Sequence, residues 1–190
     1  MDNKHFGEKI KNIREMRNVT LEELSERSGI SLKVITNIEN GIYMPNLTPL
    51  IKIARVLGVR LGTFLDDEER VGPVIIRDGS KNYGIHFSEK ENSSSTGLNF
   101  YSLAPDKSGR HMEPFIIDVL KYTIEEHPLS DHEGEEFLYV LYGAIEIFYG
   151  KDKYVLKKGD SIYYDSIIPH NVHAFGDEDA KILAVVYSPF

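Results

Sequence analysis

The chain has 190 residues, 22 Lys+Arg against 30 Asp+Glu, and neither Cys nor Trp. That length holds one large domain or two small ones, and 41% hydrophobic with 11% aromatic residues supports a packed core and excludes wholesale disorder. Without cysteine there is no disulfide framework, no zinc finger and no thiol nucleophile.

The longest apolar runs, Phe137–Tyr142 and Ile182–Tyr187, are six residues, too short to cross a bilayer. The opening Met1-Asp2-Asn3-Lys4-His5 is not that of a signal peptide. The expectation is a cytoplasmic protein without a membrane partner. Its net charge of −8 divides unevenly: residues 1–65 carry ten Lys+Arg and seven Asp+Glu, or +3, and residues 66–190 carry −11. A mildly basic segment beside an acidic one keeps phosphate affinity local.

Residues 1–66 read as a bundle of five short helices. Phe6, Ile10 and Ile13 form one apolar stripe of a first helix. Thr20 with Glu23 is a capping box opening a second helix at Leu21, which ends at Gly29. Ser31 caps a third, Leu32 to about Asn40, with Gly41 as a left-handed stop. Thr48-Pro49 reads as a cap and first-turn proline for a fourth helix through Leu57, and Leu61, Phe64 and Leu65 suggest a short fifth. Asp66–Pro73 then breaks every apolar period and reads as an exposed boundary, so residues 67–80 are taken as linker and first strand. Beyond it the period changes to two. Ten strand-like runs follow: Pro73–Arg77, Gly84–Ser88, Asn99–Leu103, Glu113–Thr123, Glu136–Tyr142, Ile145–Tyr149, Lys153–Leu156, Ser161–Tyr164, Asn171–Phe175 and Lys181–Tyr187. With Gly- and Asp-rich turns between them they predict an all-β sandwich or double-sheet barrel over 81–190.

The tight Ser28–Ser31 turn gives the second and third helices helix-turn-helix spacing, with Ser25 small at their crossing. Burying Ile35 and Ile38 leaves Ser31, Leu32, Lys33, Thr36, Asn37 and Asn40 on an outward face suited to a major groove. The stretch Ile10–Leu65 resembles the phage-repressor/XRE family of helix-turn-helix domains. The resemblance is carried by Val19–Leu24, Gly29-Ile30-Ser31, Ile35–Gly41, Pro45 and Ile53–Val59. It implies that Lys33 and Asn37 read bases, that Ser31 and Asn40 position the backbone, and that Thr20 and Leu21 lie at the interface. The family usually has glutamine where Leu21 stands. It also implies that Arg14 and Glu39 form a buried salt bridge between the first and third helices.

Five of seven histidines lie between 111 and 173. On a strand, His132 and Glu136 share a face, and His170 from a neighbouring strand would complete two imidazoles and one carboxylate. That set suits one divalent ion, Fe above all, with Mn, Ni or Zn as alternatives. The stretch Phe115–Ser188 resembles a cupin, a double-stranded β-helix or jelly roll. Ser130, His132, Glu136 and Gly143 stand at the places of its first motif, so its first histidine is serine here. Gly159 and His170 stand in the second motif, whose Pro-x-Gly is Asp165-Ser166-Ile167. Either a three-ligand metal site or an organic pocket without metal follows. Glu135 has outward parity, His173 should point away from His170, and His127 reads as a surface loop residue. Tyr139, Phe148, Tyr163 and Phe175 read as core or rim.

Two functions fit. One is a dimeric transcriptional regulator that binds a double-stranded operator and senses a small-molecule effector in its cupin domain. The other is a non-haem iron oxygenase resembling the hydroxypropylphosphonate epoxidase family, which has the same domain order, His-x3-Glu then His, and a run like Pro114–Leu120. A lysine and a tyrosine used by that family fall on Asn18 and Phe100, with Tyr101 adjacent. These departures, and the intact polar face of the third helix, favour the regulator over an enzyme.

Overall fold

The computed structural model describes residues 3–66, 72–77, 84–85, 97–121 and 129–189. Five helices come first: α1 (Asn3–Met16), α2 (Leu21–Ser28), α3 (Leu32–Glu39), α4 (Leu47–Leu57) and α5 (Leu61–Leu65). Phe6 and Ile10 of α1, Leu24 of α2, Ile35 and Ile38 of α3, and Leu50 of α4 are all buried to within 1%. Each such side chain contributes about 1.5–3 kcal/mol through removal from water. The expected capping box holds: Thr20 Oγ1 accepts from Glu23 N–H at 3.1 Å, and Glu23 accepts from Thr20 N–H at 2.8 Å. Helix α4 differs from expectation. Its cap is Asn46, so Thr48 and Pro49 lie inside the first turn, where proline's missing N–H still costs nothing.

Arg14 and Glu39 pair as expected, through Nε–Oε1 at 2.7 Å and Nη2–Oε2 at 2.9 Å, and Arg14 Nη1 also donates to the Val19 carbonyl. Glu39's hydrogen bond and charge raise the Arg14 pKa against the effect of burial. Helix α1 approaches α3 so closely that a Cβ on Gly7 would lie 2.3 Å from the Ile38 carbonyl oxygen.

Nine strands follow among the described residues: β1 (Gly84–Ile85), β2 (Leu98–Ser102), β3 (Met112–Val119), β4 (Glu135–Tyr142), β5 (Ala144–Tyr149), β6 (Asp152–Lys157), β7 (Ser161–Asp165), β8 (His170–Ala174) and β9 (Ala180–Tyr187). They form two antiparallel sheets, β1-β2-β3-β9-β4-β7 and β6-β5-β8. The turn at Gly143 passes the chain from one sheet to the other, as in a double-stranded β-helix. Register sets which residues face inward: Phe115, Leu138, Val140, Ile182 and Val186 are buried with Ile145 and Ile147 of the smaller sheet. The expected strand at Pro73–Arg77 is not formed. Residues 86–88, 122–128 and most of the expected linker lie outside the described residues.

Asp66 is not part of an exposed linker, contrary to expectation. Its carboxylate pairs with Arg110, which also holds Glu113 Oε2 through Nε at 2.7 Å. All three side chains are largely buried, tying the end of α5 to β3 across the domain boundary. Burial pushes the Glu113 carboxyl up to about 7, against the pull of Arg110. A second joint is more open: Lys52 Nζ of α4 lies 3.3 Å from Asp131, and Arg55 Nη1 lies 2.6 Å from Glu133 Oε1.

Arg14→Ala should destabilise the helical domain by about 3–5 kcal/mol, because it strands Glu39 as a buried charge. Thermal or urea unfolding followed by circular dichroism measures this. A variant that unfolds like the wild type would show the pair to be dispensable for folding.

Candidate functional site

Two faces carry the candidate chemistry. The first is α3 with the turn before it. Gly29 adopts φ +70° and ends α2, and Ser31 caps α3 by accepting the Val34 N–H at 3.4 Å. Ser25 Oγ donates to the Ile30 carbonyl at 2.6 Å, pinning the turn. Ser31, Leu32, Lys33 and Asn40 are exposed, with Thr36 and Leu21 partly so and Thr20 exposed at the start of α2. The Thr36 hydroxyl donates to the Leu32 carbonyl. Asn37 differs from expectation: it is 8% exposed, and its Nδ2 has no hydrogen-bond partner. After Gly41 the chain turns back, and Ile42 N–H donates to the Asn37 carbonyl.

The second face is inside the β domain. His132 lies before β4 rather than on it as expected, with Glu133 and Gly134 between. Glu136 sits on the inward parity of β4, and His170 begins β8; all three are buried. Their ligand atoms lie within 4.8 Å of one another. Glu136 Oε1 is 2.8 Å from His132 Nε2 and 3.4 Å from His170 Nε2, and Oε2 accepts from the Tyr164 hydroxyl at 2.7 Å. Burial alone would raise the Glu136 pKa, yet the two imidazoles hold it well below the usual carboxylate range. His170 is moved the other way: burial opposes its charge, but Glu136 outweighs burial and raises it. The Tyr164 hydroxyl is raised far up by burial and by Glu136, so it remains a neutral donor.

The other ring nitrogens fix the imidazoles. His132 Nδ1 lies 3.1 Å from the Glu133 carbonyl, and His170 Nδ1 lies 2.9 Å from the Ile168 carbonyl. The Nδ1 contacts turn each ring so that Nε2 faces Glu136. A metal at Nε2 would replace the proton shared there and leave Nδ1–H in place, the tautomer a metal ligand needs. The loop between His132 and β4 turns at Gly134, with φ +113°. A Cβ there would sit 2.0 Å from the Tyr187 carbonyl oxygen, so the approach requires glycine. A cavity of about 490 Å³ opens from the three groups, walled by Leu98, Phe100, Ile117, Leu138, Ile182 and Val186. The helical domain closes one side with Asn46–Pro49 and Lys52.

Comparison with known proteins matches both halves. Residues 10–64 match a helix-turn-helix family model and residues 121–186 a cupin domain model. An uncharacterized HTH-type transcriptional regulator of Archaeoglobus fulgidus is 39% identical over 64 residues, covering 33% of this chain and 90% of that protein. The chain belongs to the helix-turn-helix transcriptional regulator family. Its helical domain is of the XRE type, and a cupin domain follows. Over nearly the whole length it is 23% identical to the HTH-type regulator PuuR of Escherichia coli, covering 95% of this chain and 91% of that one. It is 28% identical to (S)-2-hydroxypropylphosphonic acid epoxidase of Streptomyces wedmorensis, with 95% and 94% covered. A solved helix-turn-helix family regulator from Vibrio cholerae shares the fold, with a TM-score of 0.70 and 21% identity over 99% of this chain and 97% of that one.

Within this family fold, several expected residues are accounted for. Ser130 exchanges two backbone hydrogen bonds with His170, each 2.9 Å, and it lines the cavity. Glu135 lies on the outward face, where it accepts from Tyr163. His173 stacks on Phe148 and lies 3.2 Å from Glu146, on the opposite face of β8 from His170. His127 lies outside the described residues. Of the aromatics expected in core or rim, Tyr139 and Tyr163 are exposed at outward strand positions, Phe175 is exposed one residue past β8, and Phe148 is half-buried.

Tyr164, Asn46 and Lys52 were missed. Tyr164 carries a signal in principle, since its parity is opposite to that of Tyr163 on one strand, but its pairing with Glu136 depends on inter-strand register. Nothing local marks Asn46 or Lys52.

The donor set fits a divalent ion: two neutral imidazole nitrogens and a carboxylate, oriented by backbone carbonyls. One equivalent should bind per chain and be lost in His132→Ala and His170→Ala, by mass spectrometry of the purified protein. Binding must displace the proton that His170 holds above its ordinary pKa. Metal affinity should therefore fall as pH drops through the neutral range and recover as it rises, with proton release on binding. A pH-independent isotherm would contradict this.

Proposed function

We propose that the protein is a sequence-specific transcriptional regulator whose cupin domain senses a small molecule, with one divalent ion, Fe, Mn, Ni or Zn, held by His132, Glu136 and His170. The observation carrying the reading is the exposed face at the two ends of α3, following a tight turn at Gly29. Ser31, Leu32 and Lys33 at its start and Asn40 at its C-cap are exposed, and the serine, lysine and asparagine suit base edges and phosphates. Thr36 would lie at the groove wall, with Thr20 and Leu21 at the start of α2 facing the backbone. Asn37, as a buried residue, would support this face from behind.

When bound, the ion supplies open positions for an oxygen ligand; the chain itself orients both imidazoles, excludes water with its apolar walls and keeps Tyr164 as a neutral donor to Glu136. An oxygenase reading is favoured by that same triad and by the 28% identity to the epoxidase. Against it, Phe100 presents an apolar ring to the cavity, edge-on to Phe115 at 5.6 Å, and Asn18 lines a separate shallow hollow beside Thr20. Neither offers an oxygenase substrate a polar hold.

A homodimer fits a palindromic operator. The outer face of the larger sheet supports it: Met112, Tyr163 and Tyr187 are 62%, 62% and 39% exposed and share one face by register with Phe137. An exposed apolar patch of this kind marks an association surface.

In gel shifts against its own promoter, Lys33→Ala should weaken specific binding by about 1–3 kcal/mol and relax sequence preference. Unchanged binding would remove α3 as the reader. Substrate-dependent oxygen uptake at roughly 1 per second or faster would turn the reading to the enzyme.

Tyr163→Arg should convert dimer to monomer in light scattering at micromolar concentration. A variant that stays dimeric would move the interface elsewhere.

A further inference from the structure

We infer that the cavity takes a small organic anion, a carboxylate on an apolar body, whose acidic group is held by Lys52 in place of Asp131. This rests on the sensor reading, and names the chemistry of its ligand. Among the described residues lining the cavity, Lys52 is the one Lys or Arg side chain, and most of the remaining wall is aliphatic or aromatic. Its ammonium group is directed at the Asp131 carboxylate at 3.3 Å, with the two side chains 29% and 47% exposed. A partly solvated pair of this kind exchanges partners readily. Asp131 turns to water when replaced; Lys52 stays at the cavity.

A cationic ligand would have Asp131 as its counterpart at the same wall, but that carboxylate is the more exposed member of the pair, 47% against 29% for Lys52. Glu136 is already enclosed by His132, His170 and Tyr164. Asn46 adds a second polar contact at the same wall. It caps α4 without a side-chain cap bond, and its Oδ1 is buried without a hydrogen-bond partner. An amide oxygen so placed accepts from a hydroxyl or amide N–H on the ligand's body, not from its carboxylate.

The exchange has a mechanical consequence. Asp131 and Glu133 flank His132, and they are joined to α4 through Lys52 and Arg55. Helix α4 in turn meets α2 through Arg27 Nη2 to the Val56 carbonyl and Arg55 Nη2 to the Arg27 carbonyl. A ligand that takes Lys52 removes one of the two ion pairs holding this loop to the DNA-binding bundle.

The test uses the full chain and calorimetric titration with straight-chain carboxylates from hexanoate to decanoate, against the alcohols and amines of equal length. The carboxylates should bind at least tenfold more tightly than either counterpart. Lys52→Met should weaken them at least tenfold, whereas Asp131→Asn should strengthen them several-fold by removing the competitor. Both substitutions break the same ion pair, so a merely structural effect moves both affinities in one direction. Melting by circular dichroism checks that each variant is folded; should Lys52→Met fail to fold, Lys52→Gln and the sign of Asp131→Asn decide. Absence of carboxylate binding, equal binding of the alcohols or amines, or a loss in Asp131→Asn would overturn the inference. Operator gel shifts with decanoate separate the two readings: carboxylate binding with the expected signs but unchanged operator affinity upholds the anion site and refutes the sensor.

Discussion

A single buried carboxylate organises the β domain. Glu136 lies inside an apolar barrel, where an unpaired charge is not tolerated. Its two oxygens are satisfied from three places in the chain: His132 before β4, Tyr164 on β7 and His170 on β8. Each of those groups is itself fixed. The imidazoles are held by backbone carbonyls, and His170 is locked to Ser130 through paired backbone bonds. The Gly134 turn brings the loop against Tyr187 closely enough to set the distance between His132 and β4. The same contacts that neutralise Glu136 without metal orient three donors for one. Protons and metal ion therefore compete for one set of atoms.

How much of this was legible in the sequence follows from the range of each interaction. Helix stripes and caps are local: Thr20 with Glu23 and Ser31 mark the starts of α2 and α3 to the residue, and Phe6 and Ile10 mark the buried face of α1. The i, i+4 spacing of His132 and Glu136 is also local, but the shared strand it implied is not formed: His132 precedes β4, and the turn at Gly134, φ +113°, brings its ring to Glu136. The partnership with His170 needed the resemblance to a cupin, because it joins strands far apart in the chain. Asn37 differs too. Its position on the helical wheel, opposite Ile35, reads as outward, yet it is 8% exposed. The Thr48-Pro49 pair reads as a cap, yet Asn46 two residues earlier takes that role. Asp66 reads as linker because its partner, Arg110, lies 44 positions away. Ion pairs of this kind leave no periodic trace.

The two joints between the domains differ in a way that bears on signalling. At one, Arg110 is buried between Asp66 and Glu113, with side chains 7%, 15% and 5% exposed. Breaking such a set strands charge away from water, which costs about 3–5 kcal/mol. Its Nη2 has no hydrogen-bond partner, and a Cβ on Gly62 would lie 2.7 Å from that atom, so there is little room for rearrangement. At the other joint, Lys52–Asp131 and Arg55–Glu133 are between 29% and 47% exposed, and pairs in such surroundings contribute about 0–1 kcal/mol each. A ligand shifts a conformational equilibrium only by its differential affinity for the two states. An occupant of the cavity therefore has energy enough to reset the weak joint and not the strong one. Motion should pivot near Asp66 and open at α4, the side from which α2 and α3 are reached. The asymmetry places the responsive contact beside His132, so the His132–Glu136–His170 group and helices α2 and α3 are separated by one helix and two partly exposed ion pairs.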